Sequence, residues 1–132
     1  LAPIAAALLN YGPYDLAMTP SARNWGAEEL VLNTAAIVAF GKSFLPGGTD
    51  TYDPDVSPLY ADLSGLPPAL FTVGTRDALI DDSLFMAPRW LAAGNVAELA
   101  IHPGACHGFL SLPSKVRSDA LARIVEFSQR YL

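Results

Sequence analysis

Residues 69–109 read ALFTVGTRDALIDDSLFMAPRWLAAGNVAELAIHPGACHGF, and the punctuation of this stretch sets the architecture. Ala69 to Val73 is a short apolar run bounded by Pro67-Pro68 and Gly74, the pattern of a buried strand. Asp81-Asp82-Ser83 supplies capping residues for a helix that runs to Ala93 and stops at Gly94. Pro88 falls inside that helix, where proline costs about 3 kcal/mol or forces a kink. Ala97 to His102 is a second strand, ended by Pro103-Gly104. Strand, helix and strand in this order form a βαβ unit, and its right-handed crossover makes the two strands parallel.

The same alternation continues on both sides. Ser114 opens a last helix with Val116, Ala120, Ile124, Phe127 and Tyr131 on its inner face. Upstream, Ile4 to Asn10 is an apolar run closed by Tyr11-Gly12-Pro13, which suits a strand buried on both faces. Thr19 to Asn24 is polar. From Ala27 to Phe44, Leu30, Thr34, Ile37, Val38 and Gly41 recur at helical spacing behind Glu28 and Glu29, which predicts a helix ending near Gly41. Residues 41–68 hold nine Gly or Pro among 28 and read as a long connection. The expected fold is α/β: about three parallel strands with flanking helices, in an incomplete sheet whose outer strands leave edges open to pairing.

Composition limits the function. The 132 residues carry 8 basic and 13 acidic side chains, a net charge of −5, which speaks against a nucleic-acid partner. Apolar residues make up 52% and charged ones 16%, values of a chain with a core rather than a disordered one. The run Leu1 to Leu9 is too short to span a membrane, and Glu28, Glu29 and Asn33 interrupt the next apolar stretch. Cys106 is the one cysteine, so nothing requires an oxidising compartment, and a cytoplasmic location is the expectation. The chain has no initiator Met and enters a strand-like segment almost at once, which suggests part of something longer.

In an open parallel sheet reactive groups gather at the carboxyl ends of the strands. Two such ends are polar here, Gly74-Thr75-Arg76-Asp77 and Pro103-Gly104-Ala105-Cys106-His107-Gly108-Phe109. Neighbouring parallel strands would bring Asp77 close to His107. A carboxylate bonded to one imidazole nitrogen fixes the tautomer and leaves the other nitrogen to act as a base. The alternative is a turn-capping aspartate and a surface histidine.

The stretch from Asp53 to Phe109 resembles the C-terminal part of the hormone-sensitive-lipase-like esterases, carboxylesterases of the α/β-hydrolase fold. The similarity rests on Ser57-Pro58-Leu59, Gly65-Leu66-Pro67-Pro68, Gly74 with Asp77-Ala78-Leu79-Ile80-Asp81, Leu91 to Gly94, Pro103-Gly104 and His107-Gly108-Phe109. The resemblance implies one partial α/β-hydrolase domain over 1–132, with 15–50 in the cap region and 53–132 bearing the catalytic acid and base. It implies Asp77 and His107 as members of a Ser-His-Asp triad that hydrolyses esters of short or medium acyl chains, without metal or organic cofactor. Leu79, Ile80 and Phe109 flank these elements and are candidates for the acyl pocket, or equally for the core.

This chain also departs from the family pattern. The H-G-G-G oxyanion loop and the G-x-S-x-G nucleophile elbow are absent from the 132 residues, so the chain alone should not turn over an ester. Arg76, Ala78, Pro88 and Cys106 are smaller departures. Asp81 and Asp82 read as helix caps rather than triad members, and His102 as a strand end. Cys106 reads as a packing thiol, and Trp25 and Trp90 as packing residues. Asp50, Asp53 and Asp55 lack the glycine and distal Glu of a calcium loop and read as a solvated acidic segment. Two competing functions remain, a non-catalytic binding or oligomerisation module and an amide or peptide hydrolase of the same fold. The open first strand predicts self-association or pairing with an N-terminal part.

Overall fold

The computed structural model describes residues 4–131; Leu1 to Pro3, the start of the first apolar run, lie outside it, as does Leu132. Three strands, β1 (Ala7–Asn10), β2 (Ala69–Arg76) and β3 (Ala97–Cys106), form one sheet in the order β1-β2-β3 with both pairings parallel. The helices are α1 (Pro20–Asn24), α2 (Thr34–Phe44), α3 (Ile80–Ala92) and α4 (Lys115–Gln129). The sheet is open, and among the described residues β1 pairs along one edge only.

Register explains the core. Ala7, Ala69 and Ala97 share one row, and Leu9, Phe71 and Leu99 project on the same face one pleat further along. Helix α3 covers that face with Met86, Ala87 and Trp90, and the Trp90 indole donates to the Pro67 carbonyl at 3.0 Å. The other face takes α4, whose Ala120 and Phe127 are fully buried. Arg123 of that helix and Arg130 at its C-cap both reach Glu98 on β3. The central strand is buried from Ala69 to Gly74, which accounts for its largely apolar sequence, Thr72 being the one hydroxyl.

Several boundaries differ from the sequence reading. Helix α2 begins at Thr34, not Ala27, because the Asn33 side chain accepts the Ala36 N–H and caps it there. The residues before it are held in irregular backbone by the Thr34 hydroxyl, which accepts from Gly26 N and donates to Ala22 O. Gly41 does not end the helix, which continues to Phe44. Both later strands run past their apparent stops. Pro103-Gly104 falls within β3, opposite a register shift at Gly74 to Arg76, so it marks a bulge rather than an end. Helix α3 accommodates Pro88 without interruption. Among the described residues no helix is long and apolar enough to cross a membrane.

Candidate active site

The bulge positions the site. Gly74 lies so close to β3 that a Cβ there would stand 2.0 Å from the Ala105 carbonyl oxygen. The Thr75 hydroxyl accepts the Gly104 N–H at 2.8 Å and locks the bulged segment to β2. Asp77 follows the last residue of β2 and His107 the last residue of β3, so adjacent parallel strands deliver both to one edge of the sheet. Gly108, at φ 69°, turns the chain immediately after His107, and Phe109–Ser111 closes as a 3-10 turn.

Asp77 is fully buried, and its Oδ1 accepts the Leu79 N–H at 2.9 Å. His107 Nδ1 donates to the carboxylate, 3.2 Å from Oδ1 and 3.1 Å from Oδ2. This contact assigns the proton to Nδ1 and leaves Nε2 as an acceptor. The imidazole side chain is 23% exposed and forms part of the wall of a cleft of about 440 Å³. The rest of that wall is almost wholly apolar and includes Leu32, Ile37, Phe40, Phe44 and Leu79.

Of the other sequence candidates, Leu79 lines the cleft, whereas Ile80, half-buried in the first turn of α3, and Phe109 do not. Phe109 is a core residue, packed with Ala105 and Ala120 and against the His102 ring at 5.2 Å. His102 faces α4 rather than the cleft; burial lowers its pKa below the ordinary value, with Asp119 opposing. Cys106 is half-buried against the cluster formed by Ala105, Phe109 and Ala120. Trp90 is in the core and Trp25 is half-buried, its indole donating to Glu28 O at 3.1 Å. Among the described residues no three His, Cys, Asp or Glu side chains come together as a set that could hold a metal ion.

Asp81 and Asp82 do not cap α3, whose N-cap is Leu79. They reach across to the chain that follows β1. Asp81 Oδ2 accepts the Ser21 N–H at 2.7 Å, in the first turn of α1, and its own N–H donates back to Ser21 Oγ. Asp82 accepts from Tyr14 N, Asp15 N and the Thr19 hydroxyl at 2.7, 3.0 and 2.8 Å. The two carboxylates therefore hang the region over the cleft from the helix that begins three residues after Asp77.

Burial pushes Asp82 from 3.8 up to about 6, against the lowering by these three donors. Its folded-state pKa is raised, so the folded protein holds that proton more tightly than the unfolded chain. The stabilisation from this group is complete below about pH 4 and is lost as pH rises through about 6. Asp82→Asn, which cannot ionise, is expected to flatten the dependence of the unfolding midpoint on pH over that window. Equal slopes for the variant and the parent would contradict the assignment.

Tyr11 is a residue that sequence reading passed over. Its ring meets the His107 ring edge-on at 5.0 Å, and its φ of 40° is a rare conformation for a side chain of this size. Burial first, and then the Asp77 charge, raise its phenol above the ordinary pKa, so the ring beside the imidazole is neutral. Phe40 and Phe44 of the α2 wall were also passed over, although Ile37, Phe40, Gly41 and Phe44 stand at i, i+3, i+4 and i+7 of one helix. That stripe faces an open cleft rather than a closed core.

Comparison with known proteins identifies the family of the fold. A family model described as the alpha/beta hydrolase fold matches residues 1–111. An esterase of Acinetobacter venetianus is 31% identical over 125 residues, covering 92% of this chain and 41% of its own. An acetyl-hydrolase of Streptomyces hygroscopicus is 34% identical over 107 residues, 80% of this chain and 36% of its own. Among solved structures, a hormone-sensitive lipase from a metagenome library superposes with a TM-score of 0.87 at 30% identity, over 96% of this chain and 43% of that one. The chain thus spans about two fifths of the length of such relatives.

Proposed function

Because the chain belongs to the alpha/beta hydrolase family, we propose that it carries the acid and base of a serine carboxylic ester hydrolase. The nucleophile and oxyanion donors would lie on polypeptide beyond these 132 residues, which hold no G-x-S-x-G. One observation carries the reading: a buried carboxylate holds Nδ1 of an imidazole whose ring faces an apolar cleft.

In this reading His107 Nε2 takes the proton of the serine hydroxyl as its oxygen attacks the ester carbonyl. It then gives that proton to the departing alkoxide, which leaves as the alcohol. A water enters, loses a proton to Nε2 as it attacks the acyl carbonyl, and Nε2 returns that proton to the departing serine oxygen, which releases the acid and restores the enzyme. Asp77 remains ionised throughout, orienting the ring and stabilising the imidazolium formed in each step. No metal or organic cofactor has a role in these transfers. The apolar wall suits an alkyl chain better than a charged or peptide-like group, which favours short or medium chains, and similarity to an esterase and an acetyl-hydrolase supports esters over amides.

The free edge of β1 supports a second part of the proposal, that it pairs with the polypeptide bearing the nucleophile or, in its absence, with another copy. The full-length enzyme is expected to hydrolyse p-nitrophenyl acetate with an initial burst, the mark of an accumulating acyl-enzyme, and to leave the corresponding anilide almost untouched. The isolated 132-residue chain should be silent in that assay and scatter light as a dimer or larger species. Ester turnover by the isolated chain, or preference for the anilide, would overturn this assignment.

A further inference from the structure

A second cavity of about 390 Å³ adjoins the His107 cleft, lined by Met18, Val38, Lys42, Leu45 and Thr51 among others. Leu16, Ile37 and Gly41 line both cavities. Helical geometry explains the boundary. Ile37 and Gly41 are one turn apart on α2; Phe40 and Phe44 flank them on the His107 side, and Val38, Lys42 and Leu45 on the other. The wall between the two spaces is therefore the Ile37–Gly41 row facing Leu16, and its lowest point is the residue without a side chain.

Packing does not call for glycine at this position. A Cβ added to Gly41 would meet nothing within 4 Å, and the residue lies inside α2, where glycine is the poorest helix former apart from proline. The missing side chain leaves the boundary between two apolar spaces lowest at this point, and one of those spaces includes the proposed base in its wall.

Resting on the esterase reading above, we propose that Gly41 sets the chain-length range of the enzyme: the alkyl chain of a medium-length ester runs from His107 across Gly41 into the second cavity. Each methylene that leaves water for such a trough is worth about fourfold in transition-state binding. Selectivity should therefore climb with chain length until the second cavity is full.

The test uses the full-length enzyme with two substrate series: p-nitrophenyl acetate to octanoate, which varies the acyl side, and methyl to octyl acetates, which varies the alcohol side. Gly41→Leu raises the boundary between the two cavities, and Val38→Phe fills the second cavity from the α2 side. The expected result is that, in the series whose chain occupies the trough, either variant lowers the long-to-short ratio of kcat/KM by about tenfold or more. The series that responds identifies which half of the ester lies there. A ratio within about twofold of the parent in both series, for both variants, overturns the inference, including the case where all substrates slow equally. A parent enzyme that cleaves neither series would overturn the esterase reading itself.

Discussion

His107→Ala is expected to lower kcat/KM for p-nitrophenyl acetate in the full-length enzyme by about 10⁴-fold, because among the described residues of the cleft wall no other group can accept the nucleophile's proton. Asp77→Asn should fall almost as far for a different reason. The amide would present N–H where the carboxylate now accepts from Nδ1 at 3.1 Å. The imidazole would then move its proton to Nε2, the position that has to be vacant. Combining the two changes should add little to either alone, since both remove the same base. Steady-state kinetics on the three variants, with circular dichroism to show that the fold is kept, checks this. Near-parental turnover by either single variant would remove the pair from the mechanism.

Gly74→Ala is the smallest substitution with a large expected effect. The added methyl would stand 2.0 Å from Ala105 O and 2.8 Å from Ala105 Cβ, and the first of these is backbone that cannot rotate aside. Relief requires β3 to move away from β2 at the bulge, which breaks the Thr75–Gly104 bond. We expect a loss of about 3 kcal/mol or more in stability. Because His107 stands two residues beyond Ala105, the contact with Asp77 should loosen as well. Thermal unfolding and esterase activity should drop together. A variant with unaltered melting and unaltered kcat would mean that the strands do not approach as closely as described.

Much of the fold was legible because the strands are short, apolar and fenced by glycine and proline. The harder features depend on long-range contacts. Nothing local shows that Asp81 and Asp82 serve the segment from Tyr14 to Ser21; the pair sits where a helix cap belongs, and only the folded chain brings those N–H groups to it. Pro103-Gly104 is a stop by local rules and becomes a bulge because β2 continues alongside it. Glu28 and Glu29 imitate a first helical turn, whereas Asn33, less conspicuous, is the residue that caps. The Asp77–His107 proximity was readable from topology and from the D-A-L-I-D and H-G-F elements. The contact with Tyr11 was not, since it depends on the uncommon backbone turn at the end of β1.

The way the region between β1 and β2 is fastened has a consequence for how such an enzyme could change over time. Residues 15–56 are hydrogen-bonded to the head of α3 chiefly through its two carboxylates, while adjacent parallel strands bring the acid and base together. Lengthening a connection twofold adds only about 0.6 kcal/mol of closure entropy. The walls of the trough can therefore be redrawn by insertion, deletion or drift without disturbing the proton-handling pair. New substrate ranges are accessible by edits to a part of the molecule that the chemistry does not hold in place.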